Sequence, residues 1–453
     1  MNTTMKQPHE KEIFGHPAGL YVLFFVEMWE RFSYYGMRAI LTLFLAAPVI
    51  MGDPQSGYGW SNAETLSFYG TYTMFVYLTS IPGGWIADKF IGQKKAVMVG
   101  GLLLCIGHGI LAVDAQWAFF SGLVFIVLGV GLLKPNISTM VGGLYKQGDI
   151  RRDKGFTIFY IGINLGAFLS SLIVGYVGEV HGWHYGFGLA GIGMTLGLVQ
   201  YLLGQKYLKN VGNFYGDSEN KEELEAMKKP LTKIEKDRVI VLFISFLLVI
   251  VFWGAFEQAG GLMNIYAKEN TNRILMGWEV PASWFQSLNA MFIIFLGTSV
   301  ALYWANRKLN GKVSSSLFKM IIGLIIMGTG FFFMSAAASE FNNTGASAMY
   351  WLVLAYLFHT IGELCISPVA LSYITKLAPV KYASLMMGVY FAMTGFGNKL
   401  AGLLGESAEG LGELTVFTGI AIFCVIFGLL VMIFRKKLEV LTHNAEDNER
   451  ILE

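Results

Sequence analysis

Twelve apolar stretches decide what this chain can fold into. They run 18–48, 62–88, 94–115, 118–145, 154–178 and 184–208, and then 238–266, 283–305, 315–337, 349–377, 384–407 and 415–436. Crossing a bilayer core of about 30 Å takes roughly 20 apolar residues in a helix, and these stretches are long enough. Inside lipid every backbone N–H and C=O must be satisfied within the segment, so each stretch is expected to be a helix. The expected fold class is all-α integral membrane. Only 14% of the residues are charged, against about 25% in a soluble domain. Cys105, Cys365 and Cys424 all lie in apolar stretches, so no disulfide framework is expected. Residues 1–17 are polar, and the stretch after them is too long and too charged for a signal peptide. The first span is expected to act as its own insertion signal.

The stretches fall into two groups of six, 18–208 and 238–436, separated by a charged linker at 209–237 that contains Glu219-Asn220-Lys221-Glu222-Glu223. Lys89, Lys94 and Lys95, then Lys146, Arg151, Arg152 and Lys154, then Arg307, Lys308 and Lys312 fall on one side of the membrane. The linker and the tail Arg435-Lys436-Lys437 fall on that side too, while the opposite loops hold little beyond Lys268 and Arg273. The positive-inside rule makes that side cytoplasmic, with a cytoplasmic segment at 1–17 and a cytoplasmic tail at 437–453. The basic residues form no patch of the kind that binds nucleic acid. Ala87-Asp88-Lys89-Phe90-Ile91-Gly92-Gln93-Lys94 after span 2 and Ala305-Asn306-Arg307-Lys308-Leu309-Asn310-Gly311-Lys312 after span 8 are faintly alike, as expected of a duplicated architecture.

Span 1 carries Glu27-Met28-Trp29-Glu30-Arg31-Phe32-Ser33-Tyr34-Tyr35. At about 100° per residue from Glu27, Glu30 sits at roughly 300°, Arg31 at 40°, Tyr34 at 340° and Arg38 at 20°. Two carboxylates, two guanidiniums and a phenol therefore share one face, with Trp29 and Phe32 on the other. A charge at the bilayer centre costs at least about 2.5–3.5 kcal/mol, so this stripe must face the protein interior or water. The other ionisable groups within spans concentrate on span 4 (Lys134), span 7 (Glu257) and span 10 (Glu363). Lys134 and Glu363 fall near mid-span and can pair across the two halves. Arg38 lies about 16 Å outward of Glu27, at the depth of Glu257. Pro135 follows Lys134, and Pro368 follows Glu363 by one turn and a residue, so both charges sit beside backbone breaks. His108 and His359 are expected to be hydrogen-bonded packing residues, and Lys399 to snorkel to an interface.

Gly83-Gly84-Trp85-Ile86-Ala87-Asp88-Lys89-Phe90-Ile91-Gly92 resembles the loop motif of the major facilitator superfamily. Within it, Glu27-x-x-Glu30-Arg31-Phe32-x-Tyr34-Tyr35 and Phe159-Tyr160-x-x-Ile163-Asn164-x-Gly166 resemble the proton-dependent oligopeptide transporters. The resemblance covers essentially the whole chain. It implies the major facilitator fold, twelve transmembrane helices in two six-helix bundles, with helices 1, 4, 7 and 10 lining a central cavity. It further implies a symporter importing di- and tripeptides by alternating access in the cell membrane, with the proton as coupling ion and no cofactor. In that reading Arg31 and Lys134 grip the peptide carboxylate and Glu363 takes the ammonium, with amide hydrogen bonds from Asn164 and Asn289. Tyr34, Tyr35, Tyr77, Tyr160, Trp253 and Tyr390 supply aromatic walls, and Ser367 joins the substrate set. Proton coupling and gating are implied for Glu27, Glu30, Arg31, Arg38, Lys134, Glu257 and Glu363.

The chain departs from the family pattern in having a linker too short and polar for the two extra helices of bacterial members. Ala290 stands where the family commonly has proline, and Tyr390 where tryptophan is frequent. Competing readings are a carrier of another small solute, such as nitrate or a drug-like molecule, and a membrane sensor that binds peptide without moving it. Retention of Glu363, Lys134 and the full span 1 motif favours peptide. No nucleophile–base or metal-ligand constellation appears, so the chain is not expected to be an enzyme, nor to need an obligate protein partner.

Overall fold

A computed structural model describes residues 11–145, 149, 151–209, 211–213, 230–379 and 383–446. Among the described residues the chain forms twelve long helices, one for each apolar stretch. They are α1 (Ala18–Ala46), α2 (Asn62–Leu78), α3 (Gln93–Leu111), α4 (Gln116–Gly143), α5 (Arg152–His181) and α6 (Trp183–Gly204). The second six are α7 (Lys233–Phe256), α8 (Ser287–Leu309), α9 (Ser316–Thr344), α10 (Met349–Leu377), α11 (Ala383–Glu406) and α12 (Glu413–Val440). Most of the linker expected at 209–237, residues 1–10 and the last residues of the tail lie outside the described residues.

Among the described residues, nine helices are long and apolar enough to cross a membrane on length and composition alone. The remaining three explain themselves. α1 carries four ionisable residues, α2 has 17 residues before it passes into a short helix, Ser80–Ile86, and α11 is diluted by glycines, Asn398 and Lys399. Helix ends follow local chemistry. Thr232 and Glu235 form a capping box at the start of α7, Ser315 caps α9, and α9 stops at Gly345 in the left-handed region. α4 and α10 stay helical through Pro135 and Pro368.

The chain divides into two compact units. The first comprises the described residues of Met1–Met37, Thr79–Ser170 and His184–Asp217. In it α3 lies along α4 on a seam of small residues: a Cβ on Gly100 would stand 2.7 Å from Gly129 O, an approach only glycine permits. The Trp29 and Phe32 face of α1 packs on Gly197 and Gly193 of α6, as the helical wheel required. Before α1, a two-residue hairpin pairs Glu12–Ile13 with His16–Pro17. It is held by His16 Nδ1 to Tyr145 Oη at 2.8 Å and by Arg151 to Glu12 at 2.9 Å. Burial pushes the Tyr145 phenol up to about 12, while hydrogen bonds from Arg151 hold the Asp149 carboxyl below the usual carboxylate range.

The second unit comprises Arg38–Leu78, Ser171–Trp183 and the described residues of Ser218–Glu453. Here α11 packs on both α2 and α7, α10 on both α8 and α9, and α9 on α12. Span 7, expected to run unbroken over 238–266, is interrupted. The helix instead ends at Phe256, turns through a 3-10 segment at Glu257–Ala259, and resumes as a short helix, Leu262–Glu269. Gly260 and Gly261 make that break. A Cβ on Gly260 would lie 2.1 Å from Tyr69 Oη, so no other residue would let Tyr69 approach.

Candidate functional site

In the first unit, Glu27, Glu30 and Arg31 are buried to 1%, 0% and 4% exposure. One turn of α1 brings Arg31 Nη2 to Glu27 Oε1 at 2.7 Å, and Arg31 Nε lies 3.2 Å from Glu30 Oε2. The guanidinium also sits 5.7 Å from the centroid of the Tyr35 ring, and Tyr34 packs edge-on against Tyr35. Lys134 on α4 is near enough for its charge to bear on Glu30. Two anions thus share one guanidinium. Glu27 Oε2 and Glu30 Oε1 accept no hydrogen bond among the described residues. Buried oxygens left in that state can take a proton or a donor from a ligand. On α5, Asn164 spends its amide N–H on Tyr160 O one turn back, and the Tyr160 side chain is exposed.

The second unit holds the other groups. Arg38 Nη1 lies 3.0 Å from both carboxylate oxygens of Glu257, and Tyr69 Oη donates to Glu257 Oε2 at 3.1 Å. Glu257 is buried, with 3% of its side chain exposed, so removing Arg38 would strand its charge at a cost of about 3–5 kcal/mol. Around it the C-terminal part of α1 is tied by neutral bonds to the segment that follows α7. Thr42 Oγ1 donates to Gly260 O, and Asn264 Nδ2 donates to Ala39 O and Thr42 Oγ1. Beyond them, Glu179 at the end of α5 accepts from Ser283 N at 2.7 Å and Ala282 N at 3.1 Å, with Lys268 at 3.4 Å.

Deeper in the same unit, Asn289 Nδ2 donates to Glu363 Oε2 at 2.7 Å and lies 3.1 Å from Thr360 Oγ1. Trp253 lies beside Tyr390, and both rings are edge-on to a neighbouring phenylalanine. Ser367 Oγ is buried without a partner among the described residues, and Tyr77 is half-buried on α2. The residues singled out in the sequence thus gather as Glu27–Glu30–Arg31–Tyr35, Arg38–Glu257 and Asn289–Glu363.

Two expectations are corrected. Lys399 does not snorkel: its Nζ donates to Thr71 Oγ1 at 2.8 Å, because α2 lies directly alongside α11. His108 and His359 are buried, but neither ring nitrogen finds a partner among the described residues; His359 lies over Phe331 with centroids 4.4 Å apart. Tyr69, Thr360, Asn264 and Glu179 were missed. Asn264 inside the stretch 238–266 and Glu179 just after 154–178 carry a signal as polar residues in apolar surroundings, whereas nothing in the sequence marks Tyr69 among 21 tyrosines.

The sequence profile of the POT family matches residues 94–223 and 217–409. The chain belongs to the POT family. It is similar to the peptide transporter YePEPT of Yersinia enterocolitica, at 34% identity over 99% of this chain and 100% of that protein. It is also similar to the di-/tripeptide transporter of Lactococcus lactis subsp. cremoris, at 33% identity over 94% of this chain and 97% of that one. Among solved structures, the peptide transporter POT in complex with sulfate matches with a TM-score of 0.87 and 34% identity, covering 95% of this chain and 97% of that chain. A POT family transporter in complex with 5-aminolevulinic acid matches at 0.86 and 32%, covering 95% and 98%. Membership of the POT family makes this a multi-pass membrane protein of a transporter fold, as its apolar helices required.

Proposed function

We propose that the chain is a proton-coupled symporter that imports di- and tripeptides by alternating access, with both termini cytoplasmic. The observation that carries this reading is the Arg38–Glu257 pair. A buried, two-oxygen ion pair at the outer ends of α1 and α7 closes that end while Glu257 is charged. Protonation of Glu257 removes the attraction and leaves a neutral acid that no longer holds Arg38. A proton arriving from outside would then open the outer gate. The relatives named as peptide transporters support the choice of cargo.

A free peptide is a zwitterion with charged ends at nearly fixed separation and variable side chains. Arg31 offers a fork of donors to the carboxylate, with Lys134 as a second positive charge. To bind there the carboxylate competes with Glu27 and Glu30, so substrate and proton loading are linked through one guanidinium. Glu363, oriented by Asn289, is the ammonium site. Tyr34, Tyr35 and Tyr160 in the first unit, and Tyr77, Trp253 and Tyr390 in the second, offer aromatic surface that tolerates varied side chains. The coupling ion is the proton, and the chain acts as a carrier without catalysis of bond cleavage. Proteoliposome uptake of labelled dialanine, with and without an inward proton gradient, tests the proposal. Uptake should become concentrative only with the gradient, and unlabelled dipeptides should compete while free alanine and nitrate should not. Nitrate competing as well as dialanine would sink it.

A further inference from the structure

A cleft of about 490 Å³ opens between α8 and α9, on a floor provided by α10. That volume lies within the roughly 300–1,000 Å³ of small-molecule sites. Its walls are aliphatic and aromatic, with Val300, Ile322, Ile326 and Ile361 prominent among them. Among the nine apolar spans of the described residues, the one at Ala282–Leu309, which holds α8, is the least enclosed, with 17% buried, and Tyr303 at the cleft is 57% exposed. An apolar helix this open in a membrane protein faces acyl chains.

One end of the cleft is cationic. Arg307 lines it, lies 5.3 Å from the Phe318 ring centroid, and donates Nε to Val313 O at 2.7 Å. No carboxylate among the described residues pairs with Arg307. Lys319 lies 5.7 Å over the Trp304 ring, and Trp304 meets Phe318 edge-on at 6.1 Å, so the two cations flank one aromatic pair. Arg435 approaches the Phe318 ring at 5.2 Å. The nearest acids are already engaged: Glu439 by Ser315 and Arg435, and Glu446 by Ser316 N. Trp304, 8% exposed, has its Nε1 beside the Cys365 sulfur but finds no oxygen or nitrogen acceptor among the described residues.

We propose that this cleft is a binding site for one anionic phospholipid. An acyl chain fills the aliphatic channel, and the phosphodiester sits between Arg307 and Lys319. The cleft spans Ser299 to Arg307, about 12 Å along α8, enough for a chain segment but too apolar for a soluble anion to exploit. Basic pockets between membrane helices recognise anionic headgroups, whereas a zwitterionic lipid would bring its own ammonium to the cationic end. The site rests on the membrane placement proposed above and needs no assumption about cargo.

The test is native mass spectrometry of the full chain released from nanodiscs holding equal phosphatidylglycerol and phosphatidylcholine with matched chains, run without peptide. The wild type should retain phosphatidylglycerol preferentially. Arg307→Gln and Lys319→Gln should each lower that retention roughly fivefold and leave phosphatidylcholine unchanged. Arg307→Lys should keep most of it. Val300→Trp, which plugs the channel and spares the charges, should lower it too. Equal retention of the two lipids by the wild type, wild-type retention by the Arg307→Gln/Lys319→Gln double variant, or displacement of the lipid by inorganic phosphate would overturn the proposal. Peptide uptake measured in parallel reads the cargo assignment separately, so either can fail without the other.

Discussion

Tyr69 donates its hydroxyl to Glu257 Oε2 at 3.1 Å, the oxygen that Arg38 also reaches at 3.0 Å. One carboxylate oxygen therefore serves a charged and a neutral donor at once. The phenol adds a charge-assisted bond to the same carboxylate. Tyr69→Phe keeps the ring and removes one hydrogen bond to a charged group, about 1.5–3 kcal/mol, shifting the gate by one to two factors of ten toward open. Labelling of a cysteine placed at the outer end of α1 should rise by that factor, while peptide counterflow persists. Unchanged labelling would show that the hydroxyl is not part of the gate.

Glu257→Gln has a different signature. The neutral amide mimics the protonated acid: it can accept from Tyr69 but no longer holds Arg38 by charge, and no loss of a proton can re-form the ion pair. Proton-driven accumulation should be abolished, with counterflow exchange partly intact. A variant that still concentrates peptide against its gradient would remove Glu257 from the coupling scheme.

Arg38 and Glu257 were legible before any coordinates because a charge inside an apolar helix is rare and must find a partner. Helix rise fixes depth, so residues on different spans could be matched by counting. The face shared by Glu27, Glu30 and Arg31 was legible for the same reason, since angles along a helix are set by the 3.6-residue period. Tyr69 was not. Its role depends on where α2 places one phenol and on Gly260 leaving room for it, and neither is encoded locally. The break after Phe256 was hidden because hydropathy averages over Gly260 and Gly261. Lys399 misled because snorkelling assumes that the nearest polar atom is at the membrane surface, whereas Thr71 on the adjoining helix was closer.

Glu179 ties the end of α5 to the turn before α8 through two backbone N–H groups, Ala282 N and Ser283 N. Glu179→Ala would orphan both, at about 1–3 kcal/mol for each donor left buried and unsatisfied. Amide hydrogen exchange over 280–287 should accelerate, and the thermal midpoint should fall. Glu179→Gln keeps an acceptor for one N–H and should fall less. Exchange unaltered in both variants would mean that water replaces the carboxylate at no cost.

The ammonium assignment can be tested from both sides of the interaction. Glu363 is held by Asn289 at 2.7 Å, so its carboxylate is aimed before any ligand arrives. Acetylating the amino end of dialanine removes the positive charge that Glu363 is proposed to bind. In the wild type, N-acetylation should weaken binding by an amount typical of a charged hydrogen bond, about 1.5–3 kcal/mol or one to two factors of ten. In Glu363→Ala the same modification should cost much less, because its partner is already gone. Asn289→Ala should give an intermediate coupling, since it leaves the charge in place but releases its orientation. Lys134→Ala should lose binding of free and acetylated peptide alike, because both retain the carboxylate. Each pair of measurements closes a double-mutant cycle in which the protein change and the ligand change play the two mutations. Equal losses from N-acetylation in the wild type and in Glu363→Ala would give a coupling of zero and rule out Glu363 as the ammonium site.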